Sequence, residues 1–375
     1  MRFRYGLRLA GIVFALAVMS AGPVQAASAG PGSGMTGWSG GTIVGPGMTF
    51  DTSGVEAVPA GQDIVGAVEK YSYDEMITDL KQLKLRYGDL LTVNIVGTSL
   101  DGRYLCEAVV GNQESGKNVM IQGGIHGREY MTPLLIMKQL EMALSQYSTG
   151  NYQGTGYAAM FQQGAIHFLP MGKPDGVSIS QYGLSAIRSP GLRSIVEEAY
   201  RQDLASGRTS MPIERYLNYW KANGRGVDLN GNFDAGWDRV YDVGYPSYSS
   251  YKGTAPCSEP ESMALFNLAN KYPWSAVVNY HSMGEVVYWD FEGNQVEVQS
   301  NELADLAIGI TGYRKLESSG AGGYKDWLQI KENPVPSITI EVGSVACPMP
   351  VSEWDNVWTK NQNIWAAMLH YAVTH

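Results

Sequence analysis

The sequence predicts an α/β fold, a sheet with helices packed on its faces. Three observations predict it. Short apolar runs rich in Val and Ile end at glycine turns, longer segments carry apolar residues at helical spacing, and the two kinds alternate from about residue 70 onward. With 375 residues, 44% of them hydrophobic and 17% charged, the chain can bury a large core as one sizeable domain or two modest ones.

The elements follow in order. "SYDEMITDLKQLKLRYGD" (72–89) has helical spacing and a terminal glycine, and reads as an amphipathic helix. "LLTVNIVGTS" and "RYLCEAVVG" are strand-like, with "SLDG" as the turn between them. "KNVMIQGGIHG" (117–127) is a buried strand running into a glycine turn, and "TPLLIMKQLEMALSQY" is the helix after it, with Pro133 suited to its first turn. "GAIHFLPMGKPDG" is a strand ending in a loop, and residues 185–222 read as an insertion with helical pieces. "PESMALFNLANKYP" is a helix, "SAVVNYHSMGEVVYW" two strand-like runs, "ELADLAIGIT" a helix, "SITIEVG" a strand, and "WDNVWTKNQNIWAAMLHYAV" one closing helix.

Ahead of these, Arg2, Arg4 and Arg8 precede the apolar run "LAGIVFALAVMSAG", and Val24–Ala26 offer a small-residue cleavage site. Residues 1–26 are therefore expected to be a signal peptide and the protein to be exported and secreted, an uncleaved anchor being the other reading of the same run. Residues 27–65, rich in Gly, Ser and Pro toward their start, are expected to form a flexible segment, and residues 66–375 the folded domain. No later segment is apolar enough to span a bilayer, so no membrane span is expected once the signal is removed. A formal net charge of −9 without a basic stripe excludes nucleic acid as an expected partner. Three cysteines without a CxxC pair argue against cysteine-based zinc or redox chemistry.

The chemistry-bearing residues stand at strand ends. A catalytic zinc site takes three protein ligands and leaves one position open for water. His126 and Glu129 sit three apart on the glycine turn, and His281 closes another strand-like run, "AVVNYHS". Adjacent strand ends in an α/β sheet form a shared crevice, so His126, Glu129 and His281 form a candidate His₂Glu set. Glu341 ends the apolar strand "SITIEVG", where a carboxylate is costly without a task, and it is the candidate base for the water. A structural ion pair is its alternative role. His167, inside a strand run, reads as a packed core residue.

Together with "FLPMGKPDGV", "GRGVDLNGNF" and "GGYKDW", these pieces occur in an order that resembles the zinc carboxypeptidases of the M14, carboxypeptidase A-like, family, over roughly residues 70–375. The resemblance implies a mixed, about eight-stranded sheet flanked by helices and one Zn²⁺ per chain. Within that family "YWKANGRGVDLN" and "GGYKDW" look most like the bacterial γ-D-glutamyl-diamino acid peptidases, which implies a peptide or peptidoglycan stem-peptide substrate. The resemblance implies His126, Glu129 and His281 as zinc ligands, Glu341 as general base, and Arg128 and Asn230 as substrate-binding residues. For the cation that stabilises the oxyanion it offers Arg225 or Lys221, and the spacing does not decide between them. Lys325 falls at a position facing the substrate's side chain, and Tyr324 is a weaker candidate for contact with substrate.

One departure matters. The family usually has an arginine after Asn230 to grip a terminal carboxylate, and here the residue is Gly231. Lys173, Arg188 and Arg225 are the neighbouring cations considered as its substitute. A metallocarboxypeptidase acting on ordinary peptides, and a zinc-dependent deacylase, are the alternative functions.

Overall fold

The computed structural model describes residues 50–318 and 320–375. The expected signal peptide and residues 27–49 of the expected flexible segment lie outside that range. Residues 50–65 contain no helix or strand, yet they pack: Ile64 and Val65 are buried, and their N–H groups donate to the Glu141 carboxylate at 2.6 and 3.3 Å.

The first helix, α1 (Tyr73–Tyr87), starts where the sequence signals it. Ser72 accepts from the Glu75 N–H while the Glu75 carboxylate accepts from the Ser72 N–H, a reciprocal cap, and Met76, Leu80 and Leu83 face inward. Strands β1 (Thr92–Thr98) and β2 (Tyr104–Gly111) pair antiparallel, as the intervening turn requires. β3 (Asn118–Gln122) is buried along its whole length and feeds α2 (Met131–Ser145), whose Leu134, Leu135, Leu140 and Leu144 are buried, each burial contributing about 2 kcal/mol. A short hairpin, β4 (Asn151–Tyr152) with β5 (Thr155–Gly156), precedes α3 (Tyr157–Gln163) and β6 (Ala165–Leu169).

After β6 the structure departs from the expected loop. Pro174 opens α4 (Pro174–Tyr182), with Lys173 as the residue before it, a position where proline's missing N–H costs nothing. The expected insertion holds helices Pro190–Ala205 and Ile213–Asn218 around a small core of its own, including Val196, Tyr216 and Trp220. The remaining strands are β7 (Trp274–His281), β8 (Val286–Tyr288), β9 (Arg314–Leu316) and β10 (Ser337–Glu341). The expected single closing helix is two, Trp354–Asn361 and Ile364–Thr374, with the Asn361 amide turned back on the Val357 carbonyl and the Tyr313 hydroxyl at the break.

Eight strands form one mixed sheet in the order β1-β2-β6-β3-β7-β10-β8-β9. Its centre is parallel: β3 pairs with β6 and β7, and β7 with β10. Its flanks contain antiparallel pairs, β1 with β2, β2 with β6, and β8 with β10. The central strands are buried on both faces, which explains their nearly continuous apolar sequence. No described helix is long and apolar enough to cross a membrane, and Cys106, Cys257 and Cys347 are free thiols.

Candidate active site

Three neighbouring parallel strands, β3, β7 and β10, end side by side, and each delivers a polar residue there. From β3 the chain enters the glycine turn. Gly124 has φ +63°, a conformation that favours glycine, and a Cβ at Gly127 would lie 2.3 Å from the Gly176 carbonyl oxygen, so this turn packs directly on α4. The turn aims His126 and Glu129 at the end of β7, where His281 stands in register with Glu341 of β10.

The three predicted ligands come together. His126 Nδ1 lies 2.7 Å from Glu129 Oε1 and 3.2 Å from His281 Nδ1, and His281 Nδ1 lies 3.1 Å from Glu129 Oε2. All three side chains are buried, and their donor atoms lie within 4.8 Å of one another. Tetrahedral ligands 2.0–2.1 Å from zinc stand about 3.3 Å apart, so this donor set fits zinc, and both histidines present Nδ1 to it. Burial opposes charge on Glu129, but His126 and His281 hold its carboxyl well below the usual range.

A further carboxylate supports the cluster. Asp228 Oδ1 is 3.2 Å from His126 Nε2, the nitrogen facing away from the other donors. Asp228 is itself fixed by the N–H groups of Asn230 and Ser250. Burial raises its carboxyl, yet His126, Lys173 and Lys221 together hold it well below the carboxylate range. A histidine ligand whose second nitrogen donates to a carboxylate is held in one tautomer and orientation. Sequence reading passed over Asp228. The "GVDLN" stretch carries it, and nothing in spacing alone connects it to His126.

Glu341 is part-buried, and burial pushes its carboxyl up to about 7, with Glu129 adding to the rise while His281, Lys221 and Arg128 oppose it. It lines a cavity of about 240 Å³ shared with Asn230, Tyr288, Ser318, Lys325 and Asp326. Lys325 is buried there, its ammonium 2.6 Å from Asp326 Oδ1 and donating to the Asp290 carbonyl at 2.7 Å, so it is not a solvated surface lysine.

The structure separates the other candidates. Of Lys221 and Arg225, Lys221 is the one whose charge acts on both Glu341 and Asp228. Arg225 is instead paired with Glu259 at 2.8 Å, a second nitrogen donating to the same carboxylate at 3.2 Å, and this commits its guanidinium elsewhere. Tyr324 is corrected: it is wholly buried against Phe233 and Trp327, with its hydroxyl donating to the Leu265 carbonyl at 3.3 Å, and it has no face toward substrate. Arg128 is part-exposed, and its charge is felt at Glu341. None of the cations considered as substitutes for an arginine at Gly231 stands beside it. Lys173 is buried against Lys221, Arg188 lines a separate cavity with Ser72 and Asp74, and Arg225 is held by Glu259. Lys252 lies alongside Gly231, within about 4 Å of where a Cβ would stand.

A mixed sheet with a His₂Glu cluster at its central strand ends, and a carboxylate across from it, defines a metal-dependent hydrolase. Residues 76–364 match the zinc carboxypeptidase family model, and the chain belongs to that family, peptidase M14. It is 29% identical over 313 residues to γ-D-glutamyl-L-diamino acid endopeptidase 1 of Lysinibacillus sphaericus, covering 82% of this chain and 74% of that protein. It is 23% identical over 290 residues to carboxypeptidase B of Astacus astacus, covering 72% and 86%. Among solved structures it resembles the thrombin-activatable fibrinolysis inhibitor, with TM-score 0.63, 18% identity and coverage of 82% and 77%. It also resembles carboxypeptidase A of Helicoverpa armigera, with TM-score 0.61, 17% identity and coverage of 81% and 73%. The protein is thus a zinc metallopeptidase with the carboxypeptidase fold.

Proposed function

We propose that this peptidase hydrolyses cell-wall stem peptides at the bond between γ-D-glutamate and a diamino acid, and that it does so after export. The observation that carries the substrate reading is the cavity beside Glu341, which is lined by a buried Lys325–Asp326 ion pair. The far end of diaminopimelate carries an ammonium and a carboxylate, the complementary pair. Similarity to the Lysinibacillus sphaericus endopeptidase supports the same reading. The absence of a guanidinium at Gly231 counts against a peptidase that grips an ordinary C-terminal carboxylate bidentately.

His126, Glu129 and His281 would hold the zinc, which when bound would supply Lewis acidity toward the scissile carbonyl and toward water. Glu341 accepts the water's proton and hands it to the leaving amine. Lys221 places positive charge where the carbonyl oxygen becomes negative. Asp228 holds His126 with Nδ1 directed inward. Asn230 and the Lys325–Asp326 pair orient the substrate on the far side of Glu341.

The test is incubation with L-Ala-γ-D-Glu-meso-diaminopimelate beside an ordinary peptide with a free C-terminus, with and without a zinc chelator, followed by mass spectrometry. Chelator-sensitive release of diaminopimelate with the ordinary peptide intact is expected. Cleavage of the ordinary peptide alone would replace this reading with that of a general carboxypeptidase. Export is tested separately by the N-terminus of the mature protein, expected at Ala27.

A further inference from the structure

Lys173 takes no part in the chemistry above, and it is wholly buried. It stands immediately before α4, and its ammonium donates to the Lys221 carbonyl oxygen. The same carbonyl accepts the Gly127 N–H at 3.1 Å. Gly127 lies between His126 and Glu129, and the charge of Lys221 is felt at Glu341. One oxygen atom therefore joins the metal-ligand turn, the segment carrying Lys221, and the start of α4.

The charges around Lys173 are equally specific. Burial pushes its ammonium down to about 8, while Asp228, Glu261 and Glu129 act to keep it charged and Lys221 opposes them. Asp228 in turn counts Lys173 among the groups that hold it ionised. A buried ammonium is costly without compensation, and an apolar residue of similar volume would fill the same space at lower cost.

We propose that Lys173 is a positioning residue of the metal centre. Its hydrogen bond locks the Lys221 carbonyl between α4 and the turn of His126 and Glu129. The role rests on the zinc peptidase assignment and is independent of which peptide is cut.

Two substitutions separate the components. Lys173→Met keeps the length and removes both charge and donor, whereas Lys173→Gln keeps a donor for the Lys221 carbonyl and removes only the charge. Zinc affinity is measured by competition with a chromophoric chelator, and folding by near-UV circular dichroism. K173M is expected to bind zinc about 10-fold more weakly or worse, within the 10–100-fold range of outer-shell partners, and K173Q to lie closer to the parent. kcat is expected to fall further in K173M than in K173Q, since only K173M loses the hold on Lys221. Zinc affinity within twofold of the parent in folded K173M overturns the proposal and leaves Lys173 a packing residue. Failure to cleave the wall peptide leaves these binding results unaffected, so the two readings fail separately.

Discussion

Glu341 carries the sharpest residue-level prediction. Glu341→Gln keeps the shape and the strand register but removes the proton acceptor. The variant is expected to lose about 10²–10⁴-fold in kcat while binding zinc as the parent does, which parallel turnover and chelator-competition measurements would check. An equal loss of zinc affinity would make Glu341 a ligand-supporting group instead of the base. His126, Glu129, His281 and Glu341 were legible because each is a polar residue at the end of an apolar run, where burial makes it conspicuous. Lys221 and Arg225 were not separable. They lie four apart on an irregular segment, and only the fold shows Arg225 spent on Glu259. Tyr324 misled because its neighbour Lys325 does line the cavity, while the first turn of the short helix Tyr324–Ile330 directs the tyrosine into the core.

At the scale of elements, α1 is docked through a buried carboxyl. Burial raises the Asp79 carboxyl to about 7, with Glu141 and Glu75 adding to the rise, while the Tyr71 hydroxyl that donates to it at 2.6 Å and Lys138 oppose it. The folded value lies above the unfolded value of about 3.9, so its contribution to stability is full below about pH 4 and is lost as pH rises through 7. Asp79→Asn removes this loss. Relative to the parent, its melting temperature is expected to gain by about 3 °C between pH 5 and pH 8 in circular dichroism melts. A constant offset at every pH would show that Asp79 does not titrate in this range. The helix itself was plain in the sequence, since its cap and its apolar spacing agree. The start of α4 and the break after Asn361 were hidden. The first is a proline-opened helix that follows a strand without a polar cap, and the second depends on an asparagine side chain competing for helical carbonyls across a tertiary contact with Tyr313.

The whole sheet decides where chemistry can occur. The order β3-β7-β10 sets three parallel strand ends in adjacent positions, so ligands 155 residues apart in sequence, His126 and His281, meet within 3.2 Å. An α/β class follows from alternation, but strand order depends on long-range pairing that local patterns do not encode; the family resemblance implied a mixed sheet of about eight strands, and the fold gives their order. The same topology predicts that metal binding and global stability are linked. The metal would be held from the turn after β3 and the end of β7, two central strands whose separation is part of unfolding, and the unfolded chain scatters the three ligands. Zinc at 100 times its dissociation constant is therefore expected to stabilise the fold by about 2.7 kcal/mol. At roughly 2–4 °C per kcal/mol for a large domain, this amounts to a rise of about 5–10 °C in melting temperature. Calorimetry of chelated and zinc-loaded protein checks it, with His281→Ala expected to abolish most of the shift. A melting temperature indifferent to zinc in the parent would mean that the cluster does not hold the metal in the native state, and the peptidase mechanism would fall with it.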